Sequence, residues 1–408
     1  MTGASAVRPR AVVVGAGIMG VVAALELNRR GFRVSLLDAG RVPRPLAAST
    51  DISKVCRMEY GTDAFYMALM EQAREGWLEW NRRWLAAKSA NGALFHETGV
   101  LMVCLDEMAG GGFEYESYEM LRRRGHTPER IGGAGLVRRF GAWSERFVDG
   151  FFHARGGWAE SGRVVHALVA EARQAGVEVL ESTRVTALRG SEDRATGVVT
   201  ASGERLEAEA VVLTGGSWLA EADLLPELAG VFQRTYHPVW HLRPREPERF
   251  AAERFPVFTA DIARTGFYGF PLHPRESVVK MGHHGLGFSE NLDAAALTVP
   301  DSVTAKLREF LAANFPSLAD AEVVATRLCP YCDTADEDFW IAAHPKRAGL
   351  TVAGGGSGHG FKFAPVLGAI IADAVEGKSN ATSERFRWRP EVRMERGLEA
   401  ARCHEPSW

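Results

Sequence analysis

VVVGAGIMG, residues 12–20, joins a short apolar run to a glycine-rich turn. Residues 11–14 are a short apolar run ending in glycine, the pattern of a buried parallel strand. Gly15, Gly17 and Gly20 then stand at G-x-G-x-x-G spacing, and residues 18–30 carry a helical pattern that stops at Gly31. A second strand over residues 33–37 ends at Asp38. The first glycine of such a unit permits a tight turn, the second lets backbone approach a pyrophosphate, and the third lets helix and strand pack closely. Asp38 stands where a carboxylate meets ribose hydroxyls. Together these parts predict a dinucleotide site and leave FAD and NAD undistinguished. Arg8 and Arg10 before this apolar run resemble the start of a secretory signal. The glycine spacing and the lack of a small-residue cleavage site favour the cofactor reading.

Further along, residues 63–88 read as a helix with Trp77, Trp80 and Trp84 on one face, a stripe expected in a core. Residues 94–104 read as a strand pair about Glu97–Gly99. At Gly156 the pattern returns to that of the first unit: Ser161 as an N-cap, a helix to about residue 174, and strands over 177–180 and 210–213. The second of these strands runs into Thr214-Gly-Gly-Ser-Trp218, another place where backbone can approach a cofactor. Residues 231–284 alternate with period two, which predicts antiparallel strands and a second, substrate-covering unit. A helix over 303–313, a last parallel strand over 349–353 and a helix over 364–374 follow, and the tail beyond Gly377 reads as polar and peripheral. The fold class expected is α/β (α+β overall). A Rossmann-like domain is built from 1–85, 151–225 and 326–380. A mixed or antiparallel sheet domain takes 86–150 and 226–325, and 381–408 form a tail.

The chain's 408 residues fit two to three domains at roughly 150 residues each. Net charge is −3, without the basic excess of a nucleic-acid surface. No stretch is apolar over the ~20 residues of a membrane helix. Five scattered cysteines fit free thiols in a reducing cytoplasm.

Two cations, Lys54 and Arg57, sit three apart in AASTDISKVCRMEYG, residues 47–61. On a helix that spacing places them on one face, either solvated or turned to an anion. Cys329-Pro-Tyr-Cys332 lies in RLCPYCDTADEDFW, residues 327–340, ahead of AGGGSGHGFKF, residues 353–363. A zinc site needs a second ligand pair, which Cys104 and Cys403 do not offer. A redox dithiol opens a helix in a small domain, whereas here acids follow. One thiol as a covalent tether or flavin neighbour is the third reading.

These segments carry a resemblance to the monomeric sarcosine oxidase and N-methyltryptophan oxidase group of FAD-dependent amine oxidases, with the pipecolate and fructosyl amino acid oxidases. It rests on GAGIMG with Asp38, Asp51-x-x-Lys54-x-x-Arg57, TGGSW (214–218), GFYGFP (266–271), VVKMGHH (278–284), RLCPYCDTADEDFWIAAHP (327–345) and SGHGFKF (357–363). The resemblance implies oxidation of a secondary-amine amino acid (sarcosine, an N-methyl amino acid, a pipecolate-like or a fructosyl amino acid) to an imine, with O2 reduced to hydrogen peroxide. It implies FAD bonded through the Cys329 sulfur, and Arg57 and Lys362 as the pair holding the substrate carboxylate. Lys280 stands over the flavin where oxygen is reduced, and Tyr268 and His284 line the substrate cavity. His359 lies in the flavin-binding turn, and Lys54 falls where sarcosine oxidases have an arginine. Ile18, Met19, Val185, Gly215, Trp218, Gly358 and Gly360 complete the cofactor set with Gly15, Gly17, Gly20 and Asp38, and no metal is implied. Cys332 matches no motif residue and reads as a packed free thiol. Asp51-Ile-Ser-Lys54 is more like the pipecolate and fructosyl branches, and the histidines at 283 and 284 suit a larger pocket. The expected partners are a small amino acid and O2, with no nucleic acid and no membrane, for a cytoplasmic monomer. Alternatives are a biosynthetic imine-forming oxidase of a cyclic amino acid and an amine dehydrogenase using another acceptor.

Overall fold

A computed structural model describes residues 8–87, 92–288, 297–392 and 402–403. Lys88 and most of the tail beyond 392 lie outside them. The described chain divides into two compact units, one of residues up to 51, 161–234 and from 331 to 392, the other of residues 52–160, 235–330 and 402–403.

The first unit is built on a six-stranded sheet in the order Trp340–Ala343, Leu350–Gly354, Ala210–Leu213, Arg10–Val14, Arg33–Leu37, Glu178–Leu180. All neighbours are parallel except the first pair. Arg10–Val14 is central, so its valines face protein on both sides, and Val12 and Val13 are buried. The helix Ile18–Arg29 ends in a Schellman turn: Phe32 N–H donates to Leu27 O and Gly31 N–H to Asn28 O, both at 3.0 Å. The helices Ser161–Gln174 and Ala364–Val375 belong to the same unit, as does a three-stranded antiparallel sheet of Val185–Gly190, Ala195–Thr200 and Arg205–Glu207.

The second unit carries an eight-stranded mixed sheet, in the order Glu322–Asp333, Gln233–Arg243, Val279–His283, Phe267–Gly269, Val257–Ala260, Val100–Cys104, Asp149–His153, Glu129–Arg130. Its core packs Trp143, Trp240, Phe255, Phe258 and Phe315 with the helix Asp301–Asn314. The helix Ala64–Ala86 is capped by Asp63, whose carboxylate accepts from Tyr66 N–H at 3.0 Å. Trp77 and Trp84 are buried, as a core stripe should be.

Several expectations change. Lys54–Cys56 is a strand, antiparallel to Gly157–Ala159, which also pairs Phe95–His96. Lys54 and Arg57 therefore do not share a helix face. This pairing also carries residues 52–85 with the second unit. The strands Phe95–His96 and Val100–Cys104 join different sheets instead of forming one hairpin. Ser161 does not cap its helix by accepting; its hydroxyl donates to Asp51 O at 2.8 Å. The CxxC lies within a twelve-residue strand. The described part of the tail is docked: Ile341 N–H donates to Phe386 O at 3.0 Å, Trp388 meets Trp340 edge-on, and Arg389 holds Asp336 by two bonds of 2.7 and 2.8 Å. Among the described residues no helix is long and apolar enough to cross a membrane.

Candidate active site

In the first unit the glycine turn is built by exclusion of side chains. A Cβ on Gly20 would stand 1.8 Å from Gly15 O. Gly15 has φ +107°, and a Cβ there would strike Thr214 O at 2.6 Å. The Thr214 hydroxyl locks the turn, donating towards Val14 O at 2.9 Å and Gly15 O at 2.8 Å. Ser49 Oγ accepts the Ile18 N–H at 3.0 Å. The other first-turn amides of a helix have no partner within it and face an anion readily. Asp38 Oδ2 accepts Ala16 N–H and Oδ1 accepts Gly40 N–H, each at 2.9 Å. A carboxylate has about four acceptor positions, so capacity for ribose hydroxyls remains.

A cavity of about 200 Å³ opens here, lined by Gly15, Gly17, Asp38, Val185, Gly215 and Trp218 from the expected set and by Arg44 and Thr214 beyond it. The Arg44 guanidinium lies 3.8 Å from the Trp218 ring centroid. Sequence reading missed Arg44 because it stands in an irregular proline-rich loop without a pattern. A Cβ on Gly360 would meet the Met19 methyl at 3.4 Å, so the late glycine turn packs over the first turn of the N-terminal helix. Gly358 has φ +79°, and a Cβ there would enter the Tyr331 ring at 2.2 Å. His359 stacks on Phe339 at 4.8 Å, its Nε2 3.1 Å from Glu337 O. Lys362 is buried on the short turn Phe361–Phe363. The side-chain-free cradle, the acid and the open cavity fit a dinucleotide held by these residues.

Cys332 packs among Val211, Leu213, Trp340 and Val352. Burial pushes its thiol up to about 12, and its carbonyl accepts Ser357 N–H at 2.9 Å. It is a core thiol beside the glycine turn.

In the second unit, Tyr268 stands opposite Gly282, and Lys280 precedes Gly282 by two on the same strand. Strand side chains alternate, so Tyr268 and Lys280 share one sheet face. A Cβ on Gly282 would strike the Tyr268 ring at 2.4 Å, so glycine there leaves the tyrosine its place. Lys280 is 1% exposed; its ammonium donates to Ser53 O at 2.5 Å and lies 4.7 Å from the Phe270 ring. The next residue, Lys54, donates to Cys329 Sγ at 3.4 Å. The segment 53–54 thus brings Lys280, Lys54 and Cys329 together. Arg57 is 5% exposed, 5.3 Å from the Tyr60 ring and 5.4 Å from Phe113. Its Nη1 is buried and has no hydrogen-bond partner among the described residues. His284 is buried, and its carbonyl accepts Cys403 N–H at 3.0 Å. His283 is buried and edge-on to Phe267 at 5.0 Å, and burial holds its imidazole down at about 3. No group of three or more His, Cys, Asp or Glu among the described residues is placed to hold a metal.

Glu114, on the first turn of Phe113–Arg123, is buried, and burial raises its carboxyl to about 7. Unfolded, it ionises near 4.5. Between those pH values only the folded state keeps the proton, so this group costs stability as pH rises through the window. Glu114→Gln keeps the bond from Ile262 N–H. We expect it to stabilise by about 1–3 kcal/mol at pH 8 and by little at pH 5. Urea unfolding at the two pH values checks this, and equal effects would refute it.

A parallel sheet that ends in a glycine cradle with an acidic partner defines a dinucleotide-dependent enzyme. The chain belongs to the FAD dependent oxidoreductase family, whose sequence profile matches residues 10–374. It is 28% identical to a monomeric sarcosine oxidase of a Bacillus species, over 90% of this chain and 93% of that one. It is 27% identical to N-methyl-L-tryptophan oxidase of Escherichia coli, over 90% and 95%. The fructosamine oxidase Amadoriase II of Aspergillus fumigatus superposes with a TM-score of 0.81 at 25% identity, covering 99% of this chain and 95% of that one.

Proposed function

We propose that this enzyme oxidises a secondary-amine amino acid, with FAD as redox group and O2 as acceptor, giving an imine and hydrogen peroxide. The activities in the relatives' names support the amine donor. The observation that carries the reading is Arg57. Removing a guanidinium from water costs several kcal/mol unless a partner repays it, and here one buried nitrogen still lacks its acceptor. A substrate carboxylate is the complementary group, bound in forked geometry. Lys362 is assigned the second arm of that hold.

When bound, the flavin would accept the two electrons released as the C–H bond beside nitrogen breaks and would pass them to O2. In our reading the cradle about Gly15–Gly20, with Asp38, Val185, Gly215 and Trp218, holds the nucleotide end. Gly358, His359 and Gly360 hold the ring end with Lys54. Arg57 and Lys362 fix the carboxylate and so orient the α-carbon. Tyr268 and His284 wall the cavity and exclude water, which lowers the amine's pKa and favours its neutral form. Lys280 presents a fixed positive charge where oxygen becomes anionic. Cys329 is the proposed tether through its sulfur, and the nearby Lys54 ammonium is a cation of the kind that accompanies reactive thiols. The enzyme works as a cytoplasmic monomer, and its five cysteines are buried and form no disulfide.

A peroxide-coupled screen over sarcosine, N-methyl-tryptophan, proline, pipecolate and fructosyl-glycine tests the substrate class. Peroxide from at least one is expected, and none from any would refute the reading. For the tether, wild-type protein precipitated with acid should retain its yellow colour, whereas Cys329→Ser should release all its flavin. Release from the wild type removes the tether without touching the activity.

A further inference from the structure

The second unit buries a chain of ionisable groups that the proposed reaction leaves unused. Glu59, two residues after Arg57, is wholly buried, and its Oε1 lies 2.9 Å from His153 Nδ1. The His153 ring meets His126 edge-on, with centroids 5.2 Å apart and planes at 75°. His126 Nε2 lies 2.8 Å from Glu71 Oε1, which also accepts Arg124 Nε–H at 2.9 Å. The Glu71–Arg124 end is partly exposed to solvent. The remaining ring nitrogens, His153 Nε2 and His126 Nδ1, are buried without hydrogen-bond partners among the described residues, as is Glu59 Oε2.

Local sequence sets this line. His126 follows a Schellman turn at Gly125, its N–H donating to Leu121 O at 2.9 Å at the end of the helix Phe113–Arg123. His153 ends the strand Asp149–His153, opposite Val100.

Both carboxylates stay ionised. Burial alone would raise Glu59, but the hydrogen bond and charge of His153, with the charge of Arg57, hold it below the usual range. Arg124 and then His126 do the same for Glu71. Two carboxylates thus bracket two imidazoles. Two imidazoliums with ring centroids 5.2 Å apart would repel each other, so the line suits the passage of one proton at a time. The charged groups on these contacts are Glu59 at His153 and Glu71 at His126, with Arg57 acting on Glu59 and Arg124 bonded to Glu71; the strand Val100–Cys104 paired with His153 holds no Asp, Glu, Lys, Arg or His. A structural ion pair needs one acid and one base. It does not need a second imidazole turned to the first, with free nitrogens on both.

We infer that Glu59, His153, His126 and Glu71 form a proton relay between the Arg57 end of the site and solvent at Glu71. The source of the proton rests on the proposed function. A secondary amine is ammonium in water and must lose one proton before its C–H bond is oxidised. The N–H bond breaks, nitrogen keeps the electron pair, and the proton is taken up at Glu59–His153. His126 releases one proton to water at Glu71, so one enters and one leaves, and no electron moves through the relay. These are positioning and proton-moving groups that do not touch the substrate carboxylate.

The test uses holoenzyme with ¹⁵N-labelled histidine, followed by NMR from pH 5 to 9. The titration curves of His126 and His153 are expected to depend on each other. His126→Phe should shift the titration curve of His153, and Glu59→Gln should shift the curves of both rings. Independent titrations overturn the relay. In anaerobic stopped flow, His126→Gln and Glu71→Gln should slow amine oxidation about tenfold at pH 7 and shift its pH profile, with substrate affinity within twofold. An unchanged profile beside a lowered melting temperature would mean a structural role and would also overturn it. If the wild type oxidises no secondary amine, the proposed function fails, and the titrations alone decide whether the four groups share a proton.

Discussion

Lys280→Met is expected to slow the oxygen-dependent half of the reaction by roughly 100- to 1,000-fold while changing anaerobic amine oxidation by less than about threefold. Lys280 is held deep in the second unit by Ser53 O and the Phe270 ring, on the sheet face that carries Tyr268. In our reading its charge meets a partner only when oxygen takes an electron. A preorganised charge that acts at one step should leave the other step alone, and donors of this kind are worth about 3–4 kcal/mol. Methionine keeps the length and packing of the lysine stem without its charge. Stopped-flow reduction and reoxidation separate the halves. Equal slowing of both would remove Lys280 from this role.

Arg57→Met should cost kcat/KM for the amino acid roughly 100-fold or more, since a charged hydrogen bond lost from a buried site costs about 3 kcal/mol. The same variant should handle the carboxyl-free amine almost as the wild type does. Comparing sarcosine with dimethylamine in both enzymes isolates the carboxylate contact. Arg57→Lys should recover only part of the loss, because an ammonium cannot offer the planar fork. A loss that is equal for both amines would mean that Arg57 shapes the site without holding the carboxylate.

What the sequence discloses is what short-range chemistry controls. Gly15, Gly17, Gly20 and Asp38 lie within one strand–turn–helix–strand unit, so spacing alone predicts their cradle. The ends of the helices Ile18–Arg29 and Ser161–Gln174 follow from Gly31 and Gly176. Lys54 and Arg57 were ambiguous because their segment becomes a strand only by pairing with Gly157–Ala159, about a hundred residues later. The strand Glu322–Asp333 was hidden by Pro330 and the acids after it, and its sheet neighbour Gln233–Arg243 is equally remote. The tail reads as polar, yet Arg389 and Trp388 dock on Asp336 and Trp340, partners that composition cannot name. Lys280 has no local signal of its own within residues 278–284, and only the resemblance gives it a role. Arg44, Glu59, His126 and His153 carry no local signal, because each matters only through partners that folding brings to it.

In our reading a secondary-amine amino acid reduces this enzyme's flavin and oxygen restores it. The most direct measurement is the flavin absorbance of anaerobic holoenzyme mixed with each candidate amino acid, followed by admission of air and assay of peroxide. Bleaching of the yellow band by at least one secondary amine, full return of colour with air, and one hydrogen peroxide per amine oxidised are expected. A band that no secondary-amine amino acid bleaches, or one that bleaches and does not recover with oxygen, would contradict this reading.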